Sequence, residues 1–306
     1  MVWMKRIFLF AVVNILVMVT VTFVTSMLGV GSYIGPYGLD IGNLAVFCLI
    51  WGMVGSFISL GLSRIMAKWM MGVQVIDPQT LNPELRDLVS TVHRLADQAG
   101  IPKPEVGIYQ GADVNAFATG PTKSRSLVAV SSGLLNTMNK DERNGVLGHE
   151  IAHIANGDMV TLTLIQGVVN AFVMFFARII GWAVSQALRG DRDERGSPMV
   201  MMIVTIVCEI LLSILGSMVV AAFSRYREYR ADEGGARLAG KQSMIGALQK
   251  LNSMYGRNLD RESEHPDGDK ALAAFKISGA RKGGLMALLS THPPLEERIA
   301  RLQGRY

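Results

Sequence analysis

Two of the five histidines in this sequence lie four residues apart, in the segment HEIAHIANGD at residues 149–158. On a helix, residues i and i+4 project from the same face about 6 Å apart, so His149 and His153 can direct one ring nitrogen each at a single ion. Imidazole nitrogens in that arrangement suit zinc. Glu150 follows His149 and lies beside the ion, where a carboxylate can act as a general base toward water. The alternative is an exposed helix that carries two histidines and an unrelated acid.

A catalytic zinc ion needs a third protein ligand and an open position. The longer motif with a third histidine requires a glycine at position 156 and a histidine at position 159, where this sequence has Asn156 and Met159. The third ligand therefore comes from elsewhere. The segment SRYREYRADEGG supplies Glu228 and Asp232, which share one helical face. Glu228 is predicted to bind zinc and Asp232 to accept the N–H of a ligating histidine, unless both acids pair with the neighbouring arginines.

Four apolar segments surround these residues and predict a membrane protein. Half of the residues are hydrophobic and 18% are charged, whereas about 25% are charged in an ordinary soluble domain. The apolar residues are concentrated at about 7–30, 39–63, 160–188 and 199–223. Each segment is long enough to span a bilayer, although the first could also be a secretory signal peptide.

The basic residues flank the apolar segments and do not form a nucleic-acid-binding run, so no nucleic-acid partner is expected. Lys5, Arg6, Arg64 and Lys68 lie on one side of the first two segments, which predicts that both ends of this hairpin face the cytoplasm. If the third and fourth segments both cross the membrane, the metal ligands before and after them meet on that same side. The two cysteines lie in apolar segments and predict neither a disulfide nor a cysteine metal site.

The sequence between the apolar segments predicts a globular α+β region. Asn82 followed by Pro83 predicts the start of a helix, and Asn139 with Glu142 predicts the start of the helix that carries HEIAH. Strands are predicted over PEVGIYQG and SLVAVSSGLL, with NAFATG between them.

Taken in order, these motifs resemble those of the HtpX membrane metalloproteases, relatives of the CAAX prenyl protease. The shared features cover nearly the whole chain: two N-terminal apolar segments, NAFATG, HEIAHIANGDMVTLTLIQGVVN, a second apolar pair, SRYREYRAD and THPPLEERI. The resemblance implies a mostly α membrane protein with about four transmembrane helices and a cytoplasmic α+β zincin-like (gluzincin) domain with a small sheet. The predicted organisation is a transmembrane hairpin at 1–71, the protease domain at 72–158, a second transmembrane or membrane-associated hairpin at 159–223 and a cytoplasmic helical part at 224–306.

The resemblance also implies an activity, a cofactor and partners. The expected protein is a multi-pass zinc endopeptidase of the bacterial inner (cytoplasmic) membrane, with one Zn²⁺ per chain and with its active site and both termini in the cytoplasm. Its expected substrates are polypeptides, above all misfolded or damaged membrane proteins disposed of under stress. The oligomeric state stays open.

Several residues match the family's functional positions. His149, His153 and Glu228 match its zinc ligands. Glu150 matches its general base, and Asp232 its acid beside the ligands.

Two further groups of residues are carried over from the resemblance. His292 and Arg298 are six residues apart, and they are expected to bind substrate or stabilise the oxyanion, the alternative being a proline-rich turn before a helix. Asn115, Ala116 and Phe117 are expected to line a strand edge that holds extended substrate through main-chain hydrogen bonds, the alternative being an ordinary core strand.

Two other functional classes are compatible with the same residues. A non-catalytic membrane protein could keep zinc for structure, in which case a fourth protein ligand would close the site. A channel or transporter is suggested by Arg178 and Glu209, which lie inside the third and fourth apolar segments, although the two residues could simply contact each other.

Overall fold

A computed structural model describes residues 2–30, 33–35, 38–188, 197–262 and 285–304. The chain divides into two compact units, Met1–Leu60 with Leu162–Val220 and Gly61–Thr161 with Ala221–Tyr306. The helices are α1 (Val2–Met27), α2 (Ile41–Met70), α3 (Pro83–Gln98), α4 (Ser132–Thr137), α5 (Lys140–Asn156), α6 (Asp158–Ala187), α7 (Pro198–Ala239), α8 (Lys241–Glu262), α9 (Leu285–Leu288) and α10 (Leu295–Gln303).

The first unit consists mainly of the four predicted apolar segments, all of which are helical. Among the described residues, α2, α6 and α7 are long and apolar enough to cross a membrane, and α1 contains a shorter apolar helix, Asn14–Met27. Large apolar side chains on these helices, such as Phe172 and Ile210, are exposed on the unit. Lipid solvates such side chains whereas water does not. The prediction of a mostly helical membrane protein is confirmed, with three long apolar helices and a shorter one.

Small residues allow the apolar helices to approach closely. A Cβ atom on Gly52 of α2 would lie 2.4 Å from the carbonyl oxygen of Gly167 of α6. Farther along α6, a Cβ atom on Gly181 would lie 2.1 Å from Oγ1 of Thr205 on α7. Close contact of this kind holds helices together in lipid, where no hydrophobic effect drives them to associate.

The second unit contains a four-stranded mixed sheet, which confirms the predicted small sheet. Its strands are β3 (Gln74–Val75), β4 (Glu105–Tyr109), β5 (Ala116–Thr119) and β6 (Leu127–Ser131), and two short strands, β1 (Ile34–Gly35) and β2 (Gly38–Leu39), pair in the first unit. The order is β3-β4-β6-β5, with β4 parallel to β6 and the other neighbours antiparallel. Consequently, β5 lies at one edge of this sheet.

Helix caps fix the start of the helices that pack on the sheet. The side chain of Asn82 accepts hydrogen bonds at the start of α3, and Asn139 forms the predicted capping box with Glu142 at the start of α5. The core of the unit is built from apolar residues of α3, the sheet, α5 and α8. Helix α8 approaches α5 closely, because a Cβ atom on Gly145 of α5 would lie 2.3 Å from the carbonyl oxygen of Ser243. Helix α5 is therefore held rigidly on several sides.

Candidate metal centre

Helices α5 and α7 meet at glycines, and this contact brings Glu228 to the two histidines. A Cβ atom on Gly235 would lie 2.9 Å from the backbone nitrogen of His149, and one on Gly234 would lie 2.6 Å from Cβ of Ala152. Larger residues here would force the helices apart. The two glycines therefore set the distance between the carboxylates of α7 and the imidazoles of α5.

Three side chains of the second unit converge on one point. Nε2 of His149 lies 3.1 Å from Nε2 of His153. The two carboxylate oxygens of Glu228 each lie 3.3 Å from one of these nitrogens. Ligand atoms about 2.0–2.2 Å from a tetrahedral zinc ion are roughly 3.3–3.6 Å apart, so this spacing suits zinc. Within the described parts of the chain, these three residues are the group whose ligand atoms lie within 4.8 Å of one another, which leaves a fourth tetrahedral position open.

A carboxylate orients each histidine through its other ring nitrogen. Oδ1 of Asp232 lies 3.0 Å from Nδ1 of His149, and Oδ2 of Asp158 lies 2.7 Å from Nδ1 of His153. These contacts favour a proton on Nδ1 and leave Nε2 to face the metal. Asp158 is not among the predicted site residues. Its signal in the sequence is its position after Gly157, whose φ of 71° ends α5 and turns the chain so that Asp158 reaches back to His153.

Arg298 of α10 holds Asp232 with two hydrogen bonds. Its Nε donates to Oδ2 at 2.8 Å, and its Nη2 donates to Oδ1 at 2.6 Å. Nη2 also lies 3.6 Å from Oε2 of Glu228. The side chain of Arg298 is 0% exposed, and its guanidinium is directed at the carboxylates of α7. These contacts support a role in positioning the acid beside the metal ligands.

His292 lies beside the zinc ligand of α7, in the turn that precedes α10. Its Nδ1 is 3.0 Å from Oε2 of Glu228, and its side chain is 19% exposed. Oγ of Ser290 donates a hydrogen bond to the backbone oxygen of His292. Nη1 of Arg225 donates to the backbone oxygens of Ser290, at 2.7 Å, and Leu288, at 3.1 Å. Arg225, which sequence reasoning also misses, thus ties this turn to α7 one helical turn before Glu228.

The carboxylates dominate the electrostatics of the centre. Burial lowers the pKa of His153, but the charge of Glu228 and the hydrogen bonds to Asp158 and Glu228 together outweigh burial and raise the pKa to about 10. The pKa of His149 is raised as well, because hydrogen bonds to Asp232 and Glu228 outweigh its burial. Burial raises the pKa of Glu228, but the neighbouring imidazoles, above all that of His292, hold this pKa well below its ordinary value. The carboxylates of this site attract cations, and a metal ion that binds there replaces protons on the imidazoles of His149 and His153.

Glu150 lies between the metal ligands and the edge of the sheet. Burial raises its pKa, and the neighbouring imidazoles offset this only in part. Its carboxylate accepts a hydrogen bond from the backbone N–H of Ala118 in β5. The carbonyl of Asn115 accepts a hydrogen bond from the N–H of Ser131 in β6. Because amide directions alternate along a strand, those of Ala116 and Ala118 point to the opposite edge, beside Glu150.

The predicted residues Asn115, Ala116 and Phe117 lie where β5 begins. The side chains of Asn115 and Ala116 are buried, and Phe117 is half-buried, with its ring centroid 5.8 Å from that of Tyr109. These side chains belong to the interior. The open edge of the strand presents main-chain groups.

Comparisons with known proteins agree with this geometry. Residues 83–306 match the model of peptidase family M48. The chain is 52% identical over 308 residues to a protein described as Protease HtpX homolog from Bacillus velezensis, covering 98% of this chain and 99% of that protein. It is 51% identical over 303 residues to Protease HtpX from Acinetobacter baumannii, covering 98% of each. A crystal structure of Ste24p from S. mikatae shares the fold, with a TM-score of 0.59 at 15% identity, and the match covers 97% of this chain and 66% of that one.

The family match and the ligand geometry confirm the predicted zinc cofactor and the predicted peptidase class, rather than a channel or a protein that keeps zinc for structure alone. Within the described residues, three helices are long and apolar enough to cross a membrane. The chain therefore belongs to peptidase family M48, as a multi-pass membrane zinc metalloprotease similar to HtpX.

Proposed function

We propose that this protein is an endopeptidase that hydrolyses peptide bonds of misfolded or damaged membrane proteins at the cytoplasmic face of the bacterial inner (cytoplasmic) membrane, in protein quality control and the response to stress. The observation that carries the proposal is the position of Glu150. Its buried carboxylate adjoins the zinc ligands on one side and the open edge of β5 on the other. A proton-transferring group thus lies between a Lewis acid site and a surface for extended polypeptide.

The charge distribution supports the cytoplasmic orientation. Lys5 and Arg6 precede the first apolar segment, and Arg64 and Lys68 follow the second, so the basic residues of this hairpin are on one side. Helices α6 and α7 are each long enough to cross the membrane. A chain that crosses twice between His153 and Glu228 returns to the side from which it left.

The edge of β5 is suited to bind substrate by strand addition. The main-chain groups of Ala116 and the carbonyl of Ala118 point to this edge, beside the Ala118 N–H that donates to Glu150, and an extended peptide paired there forms hydrogen bonds through its own backbone. Binding of this kind depends little on substrate side chains, so broad sequence preference is expected. Such preference suits an enzyme that removes many different damaged proteins.

His149, His153 and Glu228 would hold the zinc ion. When bound, zinc supplies a Lewis acid that polarises the scissile carbonyl and acidifies water. Glu150 accepts the proton of the attacking water on its carboxylate and delivers it to the leaving amine. Because burial raises the pKa of Glu150, this carboxylate is a stronger base toward the attacking water than an exposed glutamate would be.

The remaining predicted residues act around this proton transfer. His292 is partly exposed beside Glu228, where its imidazole can donate a hydrogen bond to the developing oxyanion. Arg298 keeps Asp232 in contact with His149, so that the imidazole holds its orientation.

Replacement of Glu150 with glutamine tests the mechanism. Purified Glu150→Gln protein should keep one zinc ion per chain by elemental analysis, and its hydrolysis of an unfolded polypeptide should fall by roughly 10²–10⁴-fold. Asp141→Asn, at an exposed acid of the same helix, is the matched control and should retain activity. Full cleavage by Glu150→Gln would sink the mechanism.

Cleavage-site mapping by mass spectrometry tests the substrate class and the orientation. Cells with the wild type and cells with Glu150→Gln are compared. Sites that depend on activity should lie in cytoplasmic segments of membrane proteins. Sites confined to soluble proteins, or to segments outside the cytoplasm, would contradict the proposal.

A further inference from the structure

An ion pair joins helices α6 and α7 in the first unit. Nη1 of Arg178 on α6 donates to Oε1 of Glu209 on α7 at 2.7 Å, and the guanidinium lies 5.8 Å from the ring centroid of Phe47. Arg178 is nine residues from the end of α6, and Glu209 is eleven residues from the start of α7. At the rise of a helix these intervals are about 14 and 16 Å. This depth is about half of a hydrocarbon core, which is about 30 Å thick.

A cavity of about 400 Å³ adjoins the ion pair. The indole Nε1 of Trp51 is buried at this cavity and has no hydrogen-bond partner among the residues that the structure describes. The side chain of Glu209 is 34% exposed, and Asn170 is also exposed, so polar groups reach the outer surface of the helices. The lining residues with polar groups are Trp51, Asn170, Arg178, Glu209 and Ser213.

Polar groups at this depth are costly unless a partner meets them. Hydrocarbon offers no hydrogen bonds, and ionisable residues inside membrane spans are usually functional. Apolar residues of similar volume would pack at least as well as the pair of Arg178 and Glu209. Packing alone therefore does not explain why an arginine and a glutamate occupy these two positions.

The polar cavity is set in an apolar surface. A groove of about 600 Å³ between α6 and α7 has almost entirely apolar walls, and it shares Val173 with the polar cavity. Phe172 and Phe176 line this groove from α6, and Leu215 and Val219 line it from α7. A transmembrane helix placed over the polar cavity would meet the apolar side chains of Phe47, Val173 and Met174 beside polar groups near the middle of the bilayer.

We propose that this surface binds a transmembrane helix of a substrate that carries an amide side chain, asparagine or glutamine, near the middle of its span. An amide N–H₂ can donate to the carboxylate of Glu209 while its oxygen accepts from the indole N–H of Trp51. A leucine at the same place can do neither. Phospholipid headgroups lie about 15 Å away at the membrane surface, and acyl chains carry no hydrogen-bonding group.

This inference rests on the proposed function, because a membrane-protein substrate is what brings such a helix. A membrane protein that has lost its native partners exposes the amide side chains which those partners would satisfy. The site would therefore select damaged or unassembled membrane proteins by the chemistry that marks them, while the edge of β5 accepts their polypeptide without regard to sequence.

The test uses the full-length protein with zinc, reconstituted in liposomes. Two substrates share one cytoplasmic tail with a cleavable segment, and their leucine-rich transmembrane helices differ only by asparagine or leucine at the centre. An interhelical hydrogen bond in lipid favours the asparagine substrate by roughly 3- to 30-fold. We expect wild-type protein to cleave it faster by that ratio at low substrate concentration. Rates are normalised to cleavage of a soluble unfolded polypeptide by the same preparation.

Variants of the protease test which residues cause the preference for the asparagine substrate. Arg178→Leu with Glu209→Leu removes both charges together and should bring the ratio of the two rates close to one. Ile206→Ala, at an exposed apolar residue of α7 that lines neither cavity, should keep the wild-type ratio. In Glu150→Gln protein, a photo-crosslinking side chain at Ser213 should capture the asparagine helix in preference to the leucine helix, which reports binding independently of the double variant.

The possible outcomes test the helix-binding site and the proposed function separately. Equal cleavage of both membrane substrates by the wild type, or a preference that survives in the double variant, overturns the site while the proposed function stands. Cleavage of the soluble polypeptide alone overturns the proposed membrane substrates and the site with them. Crosslinking of Ser213 to a second copy of the chain, with no capture of substrate, would assign the surface to self-association and overturn the inference.

Discussion

Replacing Arg298 with leucine leaves the carboxylate of Asp232 buried without its cation. Burial raises the pKa of Asp232, but the charge and hydrogen bonds of Arg298, together with the contact to His149, outweigh burial and hold this pKa below its ordinary value. Removing one partner of a buried ion pair costs about 3–5 kcal/mol, because the remaining charge is uncompensated. For a unit of this size, that loss lowers the melting temperature by roughly 6–20 °C.

A double substitution separates the effect of the uncompensated charge of Asp232 from the effect of losing the contact that orients His149. Asp232→Leu with Arg298→Leu removes both charges, so the remaining cost is that of His149 Nδ1–H without an acceptor, about 1–3 kcal/mol. The double variant should therefore be more stable than Arg298→Leu alone. Its zinc affinity should nevertheless fall about 10–100-fold, because nothing orients the imidazole of His149.

The assay is thermal unfolding in detergent with excess chelator, paired with zinc affinity from competition with a chromophoric chelator. The matched control is Arg301→Leu on the same helix. Arg301 is half-exposed, lies over the ring of Tyr229 at 4.5 Å and is 3.9 Å from Glu233, so its loss should cost at most about 1 kcal/mol.

If the Arg298→Leu protein kept the melting temperature and zinc affinity of the wild type but lost hydrolysis, Arg298 would not be the group that stabilises Asp232. Arg298 would then act on the substrate itself, which is the role that the family resemblance implies. A double variant less stable than Arg298→Leu would also contradict the account, because it would mean that Asp232 stabilises the fold without its cation.

Two other positions can be tested in the same way. Asp158→Ala removes the acceptor at Nδ1 of His153 and should weaken zinc binding about 10–100-fold in chelator competition, and unchanged affinity would show that Asp158 does not orient this ligand. Arg225→Ala frees the turn that carries His292, so hydrolysis should slow while zinc affinity stays constant, with partial rescue by Arg225→Lys through the carbonyl of Ser290. Loss of zinc in that variant would instead place Arg225 among the groups that hold the ligands.

Local sequence was sufficient to predict the helix that carries His149 and His153 and its start at Asn139, because both depend on spacing within a few residues. Glu228 is predicted from its position four residues before Asp232 on one helical face, and two membrane crossings are consistent with this choice because they return the chain to the same side. These parts of the site follow from the spacing of residues along a helix and from the length of the apolar segments.

The supporting contacts could not be predicted, because they depend on packing between segments far apart in sequence. Asp232 and Arg298 are separated by 66 residues and meet only when α10 packs on α7. The fit of Gly235 against His149 is likewise a property of two helices and gives no signal in either one. Asp158 is a different case, since its nearness to His153 depends on a turn at Gly157 that sequence shows only as the end of a helix.

The charges at the centre explain why Arg298 is fully buried. Three carboxylates are in contact with the two imidazoles, those of Glu228, Asp232 and Asp158, and Arg298 is the cation that hydrogen-bonds one of them. Nη2 of Arg227 also lies 3.9 Å from Oε1 of Glu228, so two arginines partly offset the three carboxylates. The remaining negative charge raises the pKa of His149 and of His153, and a zinc ion would supply positive charge at the same place while the imidazoles become neutral ligands. Without Arg298 the carboxylate of Asp232 would remain buried beside the zinc ligands without its cation, so the arginine is buried because it compensates this carboxylate.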